Sequence, residues 1–364
     1  MPGSGSALTS RAIDGSRSLH ARSDGGWPLV TVAILSYNRR EALRATIAKL
    51  SEDLDYPSDA LEILVADNAS EDGSAAMVAE EYPTAQVLQM PENLGAPALN
   101  RAFAQARGEW VLILDDDCWI DGAALKRAVA AAESNRADLV SFRIRSGLQP
   151  DYYFSDDYNI GLFGFWGCAW LVSRRALGQL GGYDPNIFIW GNEVEFTLRL
   201  LDAGYRHLHL PEVVAMHMKA PAAPTPTPVF RLHKVNIRHW SYSAAKHLQV
   251  ADAARVISRL LLTIAIDMLA ISPRAGATFG QALAGVVDGL RVRSPVRAEV
   301  SAIYRDGFIS FANPVRFLRT PRQRLRARRG SSSRIPTDAQ SRFEAFREAR
   351  RPFYPVTYPA VLEV

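Results

Sequence analysis

The chain has 364 residues, 48% hydrophobic and 22% charged, which is enough to bury the core of one large domain with an appendage and excludes a disordered protein. Its net charge of +4 is uneven: Arg316 to Arg351 holds twelve arginines against Asp338, Glu344 and Glu348, a balance of +9, so the remainder is acidic. Two cysteines, Cys118 and Cys168, form no CxxC pair, which points to a reducing cytoplasm and implies neither a disulfide framework nor a zinc site.

Residues 1–27 are rich in Gly, Ser and Arg without an apolar core segment, and read as a flexible leader rather than a signal peptide. From Pro28 the pattern becomes strand, polar turn, helix. Leu29 to Leu35 is a β-branched run ending at Ser36, Tyr37 and Asn38, after which Leu43, Ile47 and Leu50 recur at helical spacing. Leu61 to Ala66 is a second strand; it ends in the turn Asp67 to Ser74, and a helix is predicted over Ser74 to Glu81. Val87 to Met90 is a third, leading through Asn93-Leu94-Gly95 into a helix over Pro97 to Ala106. Such alternation predicts a parallel sheet with its polar residues gathered on the rim at the strand ends.

The fourth strand, Val111 to Leu114, runs straight into Asp115, Asp116 and Asp117. Four apolar residues suit a strand covered on both faces, whereas three acids cannot be buried unpaired and belong at its exit. Carboxylates held together repel, and a divalent cation on oxygen ligands relieves that, so Mg²⁺ or Mn²⁺ is the natural partner. The alternative is a solvated turn capping a helix from about Gly122, with Asp121 as N-cap. On the neighbouring turn, Asp67, Asn68, Ser70 and Asp72 offer short donors and acceptors suited to a base and a ribose; helix capping explains any one of them equally well.

After a helix over Ala123 to Ser134 and a strand over Asp138 to Arg143, the stretch Tyr152 to Trp170 turns aromatic and glycine-rich. Most of these rings are core, but Trp166, beside Gly164 and Gly167, suits a wall on which a sugar ring stacks. Ala176, Leu177 and Leu180 form a helix stopped at Gly181-Gly182. Asn192 is placed to cap a helix carrying Val194, Leu198 and Leu201, with Glu193 in its first turn and Glu195 a solvated neighbour. Tyr205 to Leu210 and Val213 to His217 read as two short strands before the proline-rich segment Pro221 to Pro228, an extended linker. Beyond it lie an apolar helix over Ala253 to Ile271, too interrupted by Arg255, Arg259 and Asp267 to span a bilayer, and a helix over Phe279 to Leu290. The expected division is therefore leader 1–27, catalytic domain 28–220, linker 221–229, helical region 230–312 and arginine-rich tail 313–364.

Six motifs in this order, Ser36-Tyr-Asn-Arg39, Asp67 to Ser74, Asn93-Leu-Gly95, Asp115-Asp-Asp117, Gly182-Tyr-Asp184 with Phe188, and Asn192-Glu-Val-Glu195 with Arg199, resemble the inverting nucleotide-sugar glycosyltransferases of family two. The resemblance covers Val30 to Met218 and extends weakly over Arg231 to Arg291, which is similar to the C-terminal helices of rhamnosyl- and galactofuranosyl-transferases. It implies a GT-A fold: a Rossmann-like α/β sheet with helices on both faces, followed by a C-terminal helical appendage. It also implies a nucleotide site drawn from Ser36, Asn38, Arg39, Asp67, Ser70, Asn93, Asp115 and Asp116. In this pattern Asp67 binds the base, Asp115 lies on the ribose side, and Asp117, with or without Asp115, holds Mn²⁺ or Mg²⁺ against the diphosphate. His217, 24 residues after Glu193, stands where the family carries a metal-binding His. The acidic pair usual before the last core helix is here Asn192-Glu193, so Glu193 inherits the role of base on a longer arm. Trp166, Gly167, Trp190 and Asn192 fall on the sugar and acceptor side.

The implied donor is a UDP- or dTDP-linked sugar and the implied acceptor a cell-envelope or lipid-linked glycan, with secondary-metabolite glycosylation as the alternative. A nucleotidyltransferase fits less well, because Ser36 to Arg39 lacks the glycine-rich triphosphate loop; a non-catalytic nucleotide-sugar binder would have no need of Glu193. The arginine tail suits an anionic surface at the inner face of the plasma membrane, nucleic acid ranks last without a reading module, and a second copy of the chain is a further candidate for the apolar helices.

Overall fold

The computed structural model describes residues 26–52, 55–120, 123–148, 151, 153, 165–218, 234–270 and 276–311. Residues 1–25 of the leader, the proline-rich linker and the arginine tail lie outside these residues, as do Asp121, Gly122 and the aromatics Tyr152, Phe154, Tyr158 and Phe163.

Eight strands, β1 (Val30–Ser36), β2 (Leu61–Asp67), β3 (Gln86–Gln89), β4 (Trp110–Asp115), β5 (Cys118–Ile120), β6 (Leu139–Ser146), β7 (Ala169–Ser173) and β8 (His207–His217), form one sheet in the order β3-β2-β1-β4-β7-β6-β8-β5. The first half is parallel, as the alternation predicts. The second half corrects that expectation: β7 runs antiparallel to both β4 and β6, and β5 antiparallel to β8. Neither departure was legible, since β5 is three residues long and β7 passes directly into a helix, leaving no alternation to count. The two short strands expected before the linker are one strand. β8 keeps its pairing to β6 across a register shift at Phe142/Arg143, where Pro211 and Glu212 bulge into solvent.

Helices α1 (Arg40–Glu52), α2 (Ser74–Glu81) and α4 (Ala124–Asn135) cover one face, bedding Leu43, Ile47, Met77, Val78, Leu125 and Val129 on the buried side chains of the sheet. The other face carries α3 (Leu99–Gln105), α5 (Arg174–Leu180) and α6 (Asn192–Asp202). There the expected aromatic core is present: Phe165 stacks on Trp170 at 4.3 Å, and Trp170 lies 5.5 Å from Phe196. Asn192 does not serve as the N-cap; Gly191 takes that position, and the Asn192 amide turns inward to donate to Ile187 O at 2.7 Å.

Four further helices, α7 (Lys234–His247), α8 (Val250–Ala270), α9 (Gly276–Arg291) and α10 (Ala298–Phe311), extend the same layer. Gly285 and Gly289 press α9 onto the backbone of α7, where a side-chain carbon at either position would overlap the carbonyl oxygens of Arg238 and Tyr242. Among the described residues no helix is long and apolar enough to cross a membrane.

Candidate active site

The carboxyl ends of β1, β2 and β4 and the beginning of β7 open onto one rim, and the polar turns converge there. Asp67 closes β2. Its Oδ2 accepts from the Ser70 backbone N–H at 3.3 Å, while its Oδ1 is buried with no hydrogen-bond partner among the described residues. A buried acceptor left open is costly until a donor reaches it, and an N–H of a bound base would satisfy this one. Around it the turns brace one another: Asn38, at φ 52°, donates its N–H to Ser70 Oγ at 2.9 Å and accepts from Glu71 N at 2.8 Å. Asn93 accepts from Gly95 N at 2.9 Å, and Asn68 ties that turn to β2 by accepting from Leu94 N at 2.8 Å.

The three consecutive carboxylates leave β4 in different directions. Asp116 points to the α1 side, where Oδ1 lies 2.8 Å from the Arg39 guanidinium and Oδ2 accepts from Ser36 Oγ at 3.1 Å. Asp117 lies between Arg39 Nη2 at 2.7 Å and His217 Nε2 at 3.2 Å. Asp115 is only part-buried, and its backbone N–H donates to Cys168 O at 3.0 Å, fixing the start of β7 beside it.

These surroundings separate the charges. Although residue 115 keeps partial exposure, desolvation of its carboxylate among the surrounding strand ends, then Cys168 and Asp117, push Asp115 up to about 8; burial outweighs Arg39 to hold Asp116 at about 6. Burial also opposes the charge on Asp117, but His217 and Arg39 overcome it and bring it down to about 2. His217 is lowered by burial and raised more strongly by Asp117 and Cys168, to about 10. Asp115, Asp117, Cys118 and His217 each offer a ligand atom, all within 4.8 Å of one another. Carboxylate and imidazole donors facing a nucleotide rim fit Mn²⁺ or Mg²⁺, whose charge would favour the ionised form of Asp115.

Glu193 stands in the first turn of α6 with its carboxylate over Gly167, so closely that a side-chain carbon at 167 would overlap Glu193 Oε1. Oε2 accepts from Gly191 N at 3.2 Å. Burial raises its pKa, and Cys168 adds to the rise. Gly167 is thus a bed for Glu193, one residue from the Cys168 that adjoins Asp115. Trp190 is 41% exposed at φ 58°, a backbone region that bulky residues rarely adopt, and with exposed Phe188 and Ile189 it lines the mouth beside Glu193. Trp166 is half-buried against the opposite core layer, and Asn192 is buried behind the 187–191 loop rather than on the open rim.

Sequence reasoning missed two groups here. His239 of α7 has Nδ1 at 2.9 Å from Ile189 O and 3.0 Å from Trp190 O, so the helical region props the loop at the mouth. Cys118 and Cys168 join the acidic cluster although 50 residues separate them in the chain.

Residues 31–190 match the family model described as Glycosyl transferase family 2. The chain carries a family 2 glycosyltransferase domain. The match ends just short of Glu193. Among curated relatives, Glycosyltransferase AglE of Haloferax volcanii is 27% identical over 58% of this chain and 74% of that protein. The N-acetylglucosaminyl-diphospho-decaprenol L-rhamnosyltransferase of Mycobacterium tuberculosis is 26% identical over 53% of this chain and 76% of its own length. Among solved structures, residues 1–349 of Staphylococcus aureus TarS in complex with UDP-GlcNAc give a TM-score of 0.52 at 17% identity, covering 79% of this chain and 92% of that one. GalNAc-T7 with UDP, GalNAc and Mn²⁺ gives 0.50 at 14% identity, over 67% of this chain and 55% of that one. The glycosyltransferase has the GT-A fold expected from its motifs, with C-terminal helices appended.

Proposed function

We propose that this glycosyltransferase is cation-assisted and inverting, with Glu193 as the general base and a lipid-linked or cell-envelope glycan as acceptor. The observation that carries the reading is the Glu193 carboxylate seated on Gly167, beside the cluster of Asp115, Asp117 and His217. Asp67 receives the base of a UDP- or dTDP-linked donor through its open Oδ1, with Ser36, Asn38, Ser70 and Asn93 shaping the turns around the nucleoside. Asp115, Asp117 and His217 would hold Mn²⁺ or Mg²⁺, which when bound would supply charge neutralisation for the departing diphosphate. Arg39, paired with Asp116 and Asp117, adds a fixed positive charge on the same side.

On the opposite side, Glu193 takes the proton of the acceptor hydroxyl as that oxygen bonds to the anomeric carbon and the carbon–diphosphate bond breaks. Attack from the face away from the diphosphate inverts the centre. The burial that raises the pKa of Glu193 makes it a stronger base than a solvated glutamate, while its hydrogen bond from Gly191 keeps it aimed. Trp190 with Phe188 and Ile189 gives an apolar seat for the acceptor, and Trp166 stands nearer the core. A lipid-linked acceptor is supported by this apolar mouth and by the named substrate of the mycobacterial relative. The site then works at the inner face of the plasma membrane, the cytoplasmic side where nucleotide sugars are available.

Calorimetric titration with UDP- and dTDP-sugars, with Mn²⁺ or Mg²⁺ and again with EDTA, tests the donor side. Tight binding of one donor that is lost in EDTA is the expected result; binding indifferent to the cation would remove Asp117 and His217 from the role. Glu193→Gln is expected to lower turnover about 10²–10⁴-fold with donor affinity unchanged. Near-normal turnover in that variant would assign the base elsewhere.

A further inference from the structure

The two cysteines are the groups in this rim that the transfer reaction leaves unused. Cys118 opens β5 directly opposite His217 of β8 in an antiparallel pair, so the two side chains stand on one face of the sheet. Cys168 precedes β7 and is fixed beside Asp115 by the backbone bond between them. Through these strand ends, buried Cys118, Cys168 and His217 bring their ligand atoms within 4.8 Å of one another. Asp117 completes the group: its Oδ1 lies 3.7 Å from Cys118 Sγ and 3.2 Å from His217 Nε2.

A buried thiol is ordinarily a small apolar filler, and its neighbours are then apolar. Both thiols border the apolar cluster of the sheet, but on the rim side they also meet an imidazole, a carboxylate and each other. Two sulfurs, one nitrogen and one oxygen form a donor set suited to Zn²⁺ or Co²⁺ and poorly suited to Mg²⁺ or Mn²⁺, which prefer oxygen. Tetrahedral zinc with its usual bond lengths places ligand atoms roughly 3.3–3.8 Å apart, so Cys118, Cys168 and His217, within 4.8 Å of one another, with Asp117 Oδ1 at 3.7 Å from Cys118 Sγ and 3.2 Å from His217 Nε2, need only side-chain closure.

We propose that Cys118, Cys168, His217 and Asp117 form a soft-metal site for Zn²⁺ that overlaps the Asp115–Asp117–His217 cation site, so that one metal excludes the other. Binding releases the thiol protons and any proton on His217, and the metal takes the place of the proton between His217 and Asp117. Antagonism between Zn²⁺ and the Mn²⁺ or Mg²⁺ of the transfer reaction follows; that clause alone rests on the function proposed above.

The test uses Co²⁺ as a spectroscopic probe on the reduced full chain, without any sugar donor. Thiolate-to-Co²⁺ charge-transfer absorption of two-thiolate intensity, with tetrahedral visible bands, is expected at one equivalent and is abolished by added Zn²⁺. Because the chain holds only 2 cysteines, such absorption has no other source, and the wild-type spectrum decides even if a cysteine variant fails to fold. Cys118→Ser and Cys168→Ser should each halve or remove the band, while Glu193→Gln keeps it. Co²⁺ bound without thiolate absorption, or with the intensity of a single thiolate, overturns the site. In turnover with Mn²⁺, the cysteine variants should need at least about tenfold more Zn²⁺ for half inhibition. Equal sensitivity with the cobalt band present would overturn the overlap, and absent turnover with the band present would count against the proposed function rather than the metal site.

Discussion

Glu193 and Gly167 lie 26 positions apart in the chain and act as one unit, because the carboxylate rests where a side chain at 167 would be. Gly167→Ala should therefore push Glu193 aside while leaving the sheet intact. A displacement of about 1 Å at a reacting group costs on the order of 10²-fold in rate, so kcat is expected to fall by about that factor with the melting temperature within a few degrees of the parent. Rate measurement beside a thermal melt checks this, and an unchanged kcat would mean that the Glu193 carboxylate is not held by this contact. Glu193 was legible in the sequence as an acid at the start of an amphipathic helix, and Asp115 to Asp117 as charges that could not follow Leu114 into a buried strand. Gly167 was read as part of an aromatic wall on the sugar and acceptor side and not as the seat of Glu193, since the need for a missing side chain appears only when another segment crosses it. The cysteines were illegible for the same reason: their meeting depends on β5 pairing with β8, which no local pattern announces.

At the level of elements, α6 is joined to the helical region through Glu195, which sequence reading left in solvent because it follows Glu193 in the first turn. The structure corrects this. Glu195 is 0% exposed, accepts from Arg199 at 2.6 Å, lies 3.2 Å from Lys246 Nζ, and pairs with His247 Nε2 at 2.8 Å. Lys246 also reaches Asp184 at 2.6 Å, and Tyr242 donates to the same carboxylate at 2.6 Å, so α7 is stitched to the segments on both sides of the 187–191 loop. Covering by α7 is what buries Glu195, and a periodicity count within α6 cannot reveal a helix that arrives from beyond a linker. Glu195→Gln leaves buried cations uncompensated and is expected to destabilise the fold by about 3–5 kcal/mol. Burial acts to raise the pKa of Glu195, but His247 and Arg199 prevail and hold it far below the ordinary value of 4.5. A depressed carboxylate contributes its stabilisation above that ordinary value and loses it as the pH falls toward the folded-state pKa. Thermal melts from neutral pH to below 4.5 should thus show a steep acid loss in the parent and a shallower one in Glu195→Gln. Parallel curves would mean that Glu195 is not ionised within the network. His239→Ala, at the same junction, should raise the acceptor KM with little change in donor affinity, because it frees the carbonyls of Ile189 and Trp190.

Across the whole molecule, the appended helices show two unlike faces. The glycine face of α9 is sealed against α7, whereas Leu283, Val287 and Leu290, at spacings of four and three, are 44%, 48% and 55% exposed on the opposite side. Leu262 of α8 and Val292 are exposed as well. Sequence periodicity identified apolar helices here but not which stripe would stay uncovered, because each helix carries more apolar surface than one neighbour can hide. An exposed apolar stripe on one side of a helix is suited to lie in an interface. Each side chain contributes only about 1.5–3 kcal/mol on full burial, and three together make a weak anchor. The following arginine-rich stretch, with its balance of +9, supplies attraction of about 1 kcal/mol per basic residue near an anionic surface. Two weak signals acting together are the usual requirement for stable peripheral binding. Co-sedimentation should accordingly show binding to vesicles containing anionic lipid, little to neutral ones, and a decline as salt rises. The triple variant Leu283→Asp, Val287→Asp, Leu290→Asp should lose most of that binding yet turn over a water-soluble acceptor analogue at the parental rate. Undiminished vesicle binding would remove the ridge from the interface, and a parent that is dimeric in solution and monomeric in the triple variant would assign it to a second copy of the chain instead.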